Sequence, residues 1–158
     1  MSVGSAYVRA MVHEDLPAVL AIETESHPAP WTERIFVEEL AREWARLMVV
    51  EMPERDVEPL VVAFCNYWLV ADELHLLNIC CAVEHRRQGH AQRLMEYMLE
   101  VARSRKCRLI TLEVRTSNTG AIAMYERYRF VGAGVRPRYY SDNQEDALVM
   151  LLHLPATD

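Results

Sequence analysis

The chain has 158 residues, 51% hydrophobic and 25% charged, with no repeat or Pro/Gly/Ser-rich linker; this fits a single domain over 1–158 with one core. A net charge of −6 argues against direct nucleic-acid binding. With no run of about 18 apolar residues and no apolar segment behind a charged start, neither a membrane span nor a secretory signal is expected, and a cytoplasmic location follows.

In chain order, periodicity and turn residues predict strand 6–12, helix 14–26, a loop, then helix 33–45 with Thr32 as its N-cap. Strands follow at 46–52, 59–70 and 74–83, then helix 89–105, strand 109–114, helix 119–128, and strands 130–137 and 146–154. Hairpins join the middle strands. The segment 74–114 is a strand-helix-strand crossover, so its two strands should run parallel inside a mostly antiparallel, helix-flanked sheet of α/β (α+β) class.

Between strand 74–83 and helix 89–105 stands Arg86-Arg87-Gln88-Gly89-His90-Ala91, and the helix puts Ala91, Leu94, Met95, Met98, Leu99 and Ala102 on one face. A strand, a tight turn and a helix start aim free backbone N–H groups and the positive helix end at one point, which favours an anion. Gly89 lets the backbone approach a pyrophosphate, and Ala91 keeps the first turn thin. Taken alone, the arginine pair also reads as a solvated face.

Charge is unevenly spread: residues 86–108 carry seven basic and two acidic side chains, whereas residues 1–60 carry five basic and twelve acidic. A basic patch suits a polyphosphate, and an acidic N-terminal region either steers a basic peptide or serves solubility. Cys65, Cys80, Cys81 and Cys107 form no C-x-x-C pair and read as reduced thiols, with Cys80 and Cys81 on opposite strand faces. The six histidines show no H-x-x-x-H pair and no serine lies in G-x-S-x-G, so no metal and no Ser-His site is expected. Cys80 or Cys81 as nucleophile would need a histidine that the sequence does not place.

A second motif follows: Leu112-Glu113-Val114-Arg115, then Ser117-Asn118, an Ala-rich helix start and Tyr125-Glu126. Together the two motifs resemble the GNAT acetyltransferase family, and most closely its RimI-like branch of ribosomal-protein-alanine N-acetyltransferases. His27-Pro28-Ala29-Pro30-Trp31-Thr32 with Phe36 resembles that branch's early loop, and Arg138-Tyr139-Tyr140 with Glu145-Asp146-Ala147-Leu148-Val149-Met150 its closing hairpin, so nearly the whole chain is covered. The chain departs from the family at Cys81 and Val83, where a β-branched residue and a proline are usual, at Ala91 in place of a glycine, at Ala29, and in a short hairpin between Tyr140 and Glu145.

The resemblance implies a GNAT acyltransferase fold, in which the parallel strands splay and admit the arm of acetyl-CoA. It implies phosphate holding by Arg86, Arg87, Gln88, Gly89, His90, Ala91 and Gln92, a polar contact from Asn118, and Ile79, Cys80 and Cys81 along the acetyl end. An oxyanion would meet a backbone N–H near a bulge at Cys81. In the branch the residue at Glu113 is the general base and that at Tyr125 the acid; read from the residues alone, Glu113 is also a salt-bridge partner for Arg115 or another arginine, and Tyr125 a core aromatic. Trp31, Tyr139 and Tyr140 would frame the acceptor, although the two tyrosines also read as covering a hairpin. The implied reaction is transfer of acetyl to the N-terminal alanine of a small-subunit ribosomal protein by a monomeric enzyme. A broader Nα- or Nε-acetyltransferase and a non-catalytic acyl-CoA-binding module are the alternatives.

Overall fold

The computed structural model describes residues 5–54 and 56–155. Among them seven strands form one sheet in the order β1-β2-β3-β4-β5-β7-β6. The strands are β1 (Tyr7–Ala10), β2 (Ala45–Met52), β3 (Leu60–Val70), β4 (Glu73–Cys81), β5 (Leu109–Arg115), β6 (Val131–Arg136) and β7 (Ala147–His153). Four α-helices accompany them: α1 (Leu16–Ser26), α2 (Glu33–Ala41), α3 (His90–Ser104) and α4 (Thr119–Arg127). Only β4 and β5 pair in parallel, as the α3 crossover requires; every other pairing is antiparallel. No helix among the described residues is long and apolar enough to cross a membrane.

Both faces of the sheet are covered, and side chains alternate between them with a period of two. Met48 and Val50 join one core with Leu94, Met95, Met98, Leu99 and Ala102 of α3. Leu47 and Val49 join another with Leu16, Val19 and Ile22 of α1 and Phe36 of α2. The apolar stripe expected on α3 is therefore its buried face, with half-buried Ala91 at its open end; each Leu or Met so buried contributes about 1.5–3 kcal/mol.

Several expected boundaries move. Helix α2 ends at Ala41, not 45, because the main chain of residues 44–45 is claimed by β3: Leu69 N–H donates to Trp44 C=O at 2.8 Å and Ala45 pairs with Trp68. Thr32 caps the helix as expected, accepting from Ile35 N–H at 3.4 Å. The first strand stops at Ala10, and His13–Asp15 form a 3₁₀ turn before α1. Strand β4 ends at Cys81, since Ala82 N–H turns to Val62 C=O and Val83–His85 form another 3₁₀ turn.

Candidate active site

The site begins where the parallel pair parts. Strands β4 and β5 pair from Glu73 with Leu109 to Leu76 with Leu112 and no further. Beyond that point β4 stays with β3, up to Cys81 opposite Ala63, and β5 stays with β7, up to Arg115 opposite Ala147. The expected splay is present. A cleft of about 530 Å³ opens at the gap, lined by Leu76, Leu77, Ile79 and Cys81 on one wall and by Leu112, Glu113, Val114, Asn118 and Tyr125 on the other.

The bulge lies elsewhere than expected. Asn78 pairs with Asn66 and Leu76 with Tyr67, so the extra residue on β4 is Leu77, four positions before Cys81. An inserted residue inverts the alternation beyond it. Leu74 and Leu76 face α3 before the bulge; Ile79 and Cys81 face it after, leaving Cys80 packed toward α1. Cys80 and Cys81 do point apart, and all four cysteines are free thiols.

At the start of α3, Arg87 and Gly89 both adopt positive φ, +62° and +85°. Successive residues of alternating hand turn backbone N–H groups toward one concavity. The first helical bond runs from Arg93 N–H to Gly89 C=O at 3.0 Å, so the N–H groups of His90, Ala91 and Gln92 precede the helical ladder. A Cβ on Gly89 would meet nothing closer than Gln92 Oε1 at 3.7 Å; the glycine suits its positive φ and is not needed for room within the chain. Arg86, Arg87, Gln88 and Gln92 are exposed, and Ala91 lines the cleft. The His90 side chain is turned inward, where burial, Arg93 and His85 lower its pKa, so its backbone is what the turn presents. Asn118 caps α4 through Oδ1, which accepts from Ala121 N–H at 3.2 Å.

Glu113 is the first residue of β5 past the split, and its side chain is 25% exposed. Its ion-pair partner is Arg136, at 3.4 Å, and not Arg115. Arg115 instead binds the loop between β6 and β7: Nη2 donates to both Asp142 oxygens at 3.1 and 3.0 Å, Nη1 donates to Glu145 Oε1 at 3.3 Å, and the guanidinium lies 4.0 Å from the Tyr140 ring centroid. Glu145 also accepts from Ser117, and these bonds hold its carboxyl down to about 2. The loop is thereby fixed over the cleft with Tyr140 in its wall, where burial pushes the phenol up to about 12. Tyr139 is 48% exposed and lies outside the cleft, stacked edge-on against Tyr140. Tyr125 is buried beside Phe130 yet reaches the cleft; burial raises its pKa and keeps the phenol neutral.

The end of the cleft bounded by Trp31 and Tyr140 holds two residues, Glu23 and His27, to which the sequence assigned no role. Glu23, on α1, is 1% exposed; Oε1 accepts from Asn78 Nδ2 at 2.8 Å and Oε2 from Trp31 N–H at 2.9 Å. That bond seats Trp31, which packs on Phe36 and lines the cleft. His27 Nε2 lies 3.1 Å from Cys80 Sγ, so the histidine that the sequence did not place beside Cys80 is there. The only sequence signal was the spacing of Glu23 and His27, one helical turn apart.

The chain matches the family model of the acetyltransferase (GNAT) family over residues 16–130. It is similar to the ribosomal protein bS18-alanine N-acetyltransferase of Escherichia coli (strain K12), 34% identical over 140 residues that cover 87% of this chain and 90% of that protein. The crystal structure of the ribosomal-protein-S18-alanine N-acetyltransferase from Escherichia coli matches with a TM-score of 0.84 and 31% identity, over 97% of this chain and 96% of that one. Ard1 from Thermoplasma volcanium gives a TM-score of 0.84 and 26% identity, over 96% of this chain and 99% of that one.

Proposed function

The chain belongs to the GNAT acetyltransferase family and is an acetyl-CoA-dependent N-acetyltransferase, and from that premise we propose that it acetylates the N-terminal alanine of a small-subunit ribosomal protein. The reading rests above all on one observation: Glu113 and Tyr125 line a single cleft at the gap between the parted strands, and Ala91 of the helix start lines it too. The acceptor assignment takes its support from the Escherichia coli relative that acts on bS18.

An α-ammonium has a pKa of about 8 and must lose a proton before it attacks. Glu113 accepts that proton, and Arg136 at 3.4 Å steadies the carboxylate. The nitrogen lone pair then forms a bond to the thioester carbon, and the carbon–sulfur bond breaks. The neutral phenol of Tyr125 supplies the proton to the departing sulfur; the nitrogen's second proton, shed as the amide forms, restores the phenol, and the proton held by Glu113 is released to solvent. N–H groups along the cleft edge of β4, freed of β5 beyond Leu76, face the developing oxyanion. The backbone of Arg87 to Gln92 holds the pyrophosphate, with Arg86 and Arg87 as charge partners and Asn118 further along the arm. Ile79 and Cys81, with the backbone of Cys80 between them, border the acetyl group, while Trp31 and Tyr140 border the acceptor. The proposed working unit is a monomer.

Mass spectrometry of a peptide panel with acetyl-CoA tests the assignment. An alanine-starting peptide with basic residues downstream should be acetylated on its α-nitrogen, much faster than a blocked-terminus peptide carrying only a lysine amine. Equal rates would make the enzyme a general amine acetyltransferase. The 40% identity over 77 residues, 48% of this chain and 46% of that protein, to the N-alpha-acetyltransferase of Saccharolobus solfataricus favours a second reading, a broader Nα-acetyltransferase; comparable rates on peptides starting with other residues would select it.

A further inference from the structure

Glu23, His27 and Cys80 converge on one point in the cleft wall, and each offers a metal-ligating atom within 4.8 Å of the others. His27 Nε2 lies 3.5 Å from Glu23 Oε1 and 3.1 Å from Cys80 Sγ, and Sγ lies 3.9 Å from Oε1. Three donors of a tetrahedral zinc site, at ordinary zinc–nitrogen, –sulfur and –oxygen distances, stand about 3.3–3.6 Å apart. The observed triangle matches this to within about half an ångström, the largest difference being the short side from His27 Nε2 to Cys80 Sγ. Hydrogen bonding accounts for it less well. A single ring nitrogen has one proton or one lone pair, yet it is met by Glu23 Oε1, Cys80 Sγ and Asn78 Oδ1, the last at 3.2 Å.

We infer that Glu23, His27 and Cys80 form a site for a borderline-soft divalent cation, Zn²⁺ being the best fit, in the acceptor half of the cleft. Thiolate, imidazole and carboxylate are the donor set for zinc rather than magnesium or calcium. The surrounding bonds already orient the carboxylate: Asn78 holds Oε1 and the Trp31 N–H holds Oε2. Two ligands are buried, and His27 is partly exposed toward the cleft, so a fourth coordination position opens to solvent there. Without metal, burial and the neighbouring Glu23 carboxylate keep the Cys80 thiol protonated. On binding, the sulfur–proton bond is exchanged for a sulfur–zinc bond and the proton leaves to solvent. An ion so placed occupies the wall against which the peptide amine must pass, so Zn²⁺ inhibits acetyl transfer.

Cobalt(II) titration of the reduced full-length protein is the direct test. Wild type should develop a sulfur-to-cobalt charge-transfer band and tetrahedral ligand-field absorption at one equivalent, and Zn²⁺ should bleach both. Cys80→Ser should lose the charge-transfer band, and His27→Gln should weaken binding by about 100-fold or more, beyond the loss expected for an outer-shell partner. Cys107→Ala, which alters a thiol remote from the cleft, should retain both signals. No band in wild type, or a band that survives Cys80→Ser, would overturn the site. His27→Gln covers the case in which Cys80→Ser fails to fold, and unchanged cobalt affinity there would also overturn it. A kinetic arm rests on the proposed acceptor side: Zn²⁺ should raise the acceptor KM about tenfold while acetyl-CoA affinity holds. Cobalt binding without that rise would count against the acceptor placement and leave the metal site standing.

Discussion

The two halves of the cleft are built differently. The proposed cofactor half comes mainly from one contiguous stretch, the end of β4, the Gly89 turn and the first turn of α3, with Asn118 added from the start of α4, and its geometry is set chiefly by local backbone conformation. The acceptor half is assembled from α1, the segment before α2, the bulged part of β4 and the loop between β6 and β7, joined by side-chain bonds such as Arg115 to Asp142 and Glu23 to Asn78. A local device survives sequence change outside it and shows itself as a motif. A composite wall depends on contacts between distant segments, and specificity can change there without disturbing phosphate binding.

The largest expected effect falls where the halves meet. Glu113→Gln should lower kcat by about 100- to 10,000-fold, leave acetyl-CoA affinity nearly intact, and recover in part at high pH, where the amine loses its proton unaided. Wild-type turnover at pH 7 would return Glu113 to a plain ion-pair partner of Arg136. Next comes the cofactor half. Gly89→Val forces a β-branched residue to φ +85° and puts a side chain where the ligand approaches; calorimetry should show a large loss of acetyl-CoA affinity, and an unchanged value would move the phosphate site elsewhere.

Tyr140→Ala sharpens the comparison from the other side. It should erase most of the preference for an alanine N-terminus, read as competing peptide rates, while acetyl-CoA binding persists. The smallest effect is pH-dependent. Glu145 is held at about 2 against an ordinary 4.5, so its bonds stabilise the folded loop above the unfolded value and lose that contribution progressively as pH falls from about 4.5 toward 2. Protection of the Ser117 amide from hydrogen exchange should decline over that window, and Glu145→Gln should abolish the pH dependence.

The same contrast explains what was legible in the chain. The α3 stripe, the Gly89 turn and the parallel crossover follow from periodicity and from one glycine, because they depend on near neighbours. The bulge at Leu77, which re-aims Asn78 and Cys80 toward α1, leaves no mark in residue type. The end of α2 at Ala41 was set by pairing with β3, which overrode a helical pattern running to 45. For Glu113 the sequence left the partner open between Arg115 and another arginine, and the structure selects Arg136 because the loop between β6 and β7 takes Arg115. Of the two adjacent tyrosines only Tyr140 faces the cleft, because Arg115 stacks on its ring. The Glu23–His27–Cys80 triangle joins α1 and its C-terminal flank to a strand more than fifty residues later, the kind of constellation that spacing rules for metal ligands do not cover.

A crystal structure with CoA joined covalently to an alanine-starting peptide would test the central claim most directly. The account predicts phosphates on the backbone N–H groups of Arg87 to Gln92, the sulfur between β4 and β5 within reach of the Tyr125 hydroxyl, and the peptide's first nitrogen about 2.6–3.2 Å from Glu113 or one water away. Phosphates bound away from the Gly89 turn, or a peptide nitrogen remote from Glu113 with the peptide outside the wall formed by Trp31 and Tyr140, would contradict it.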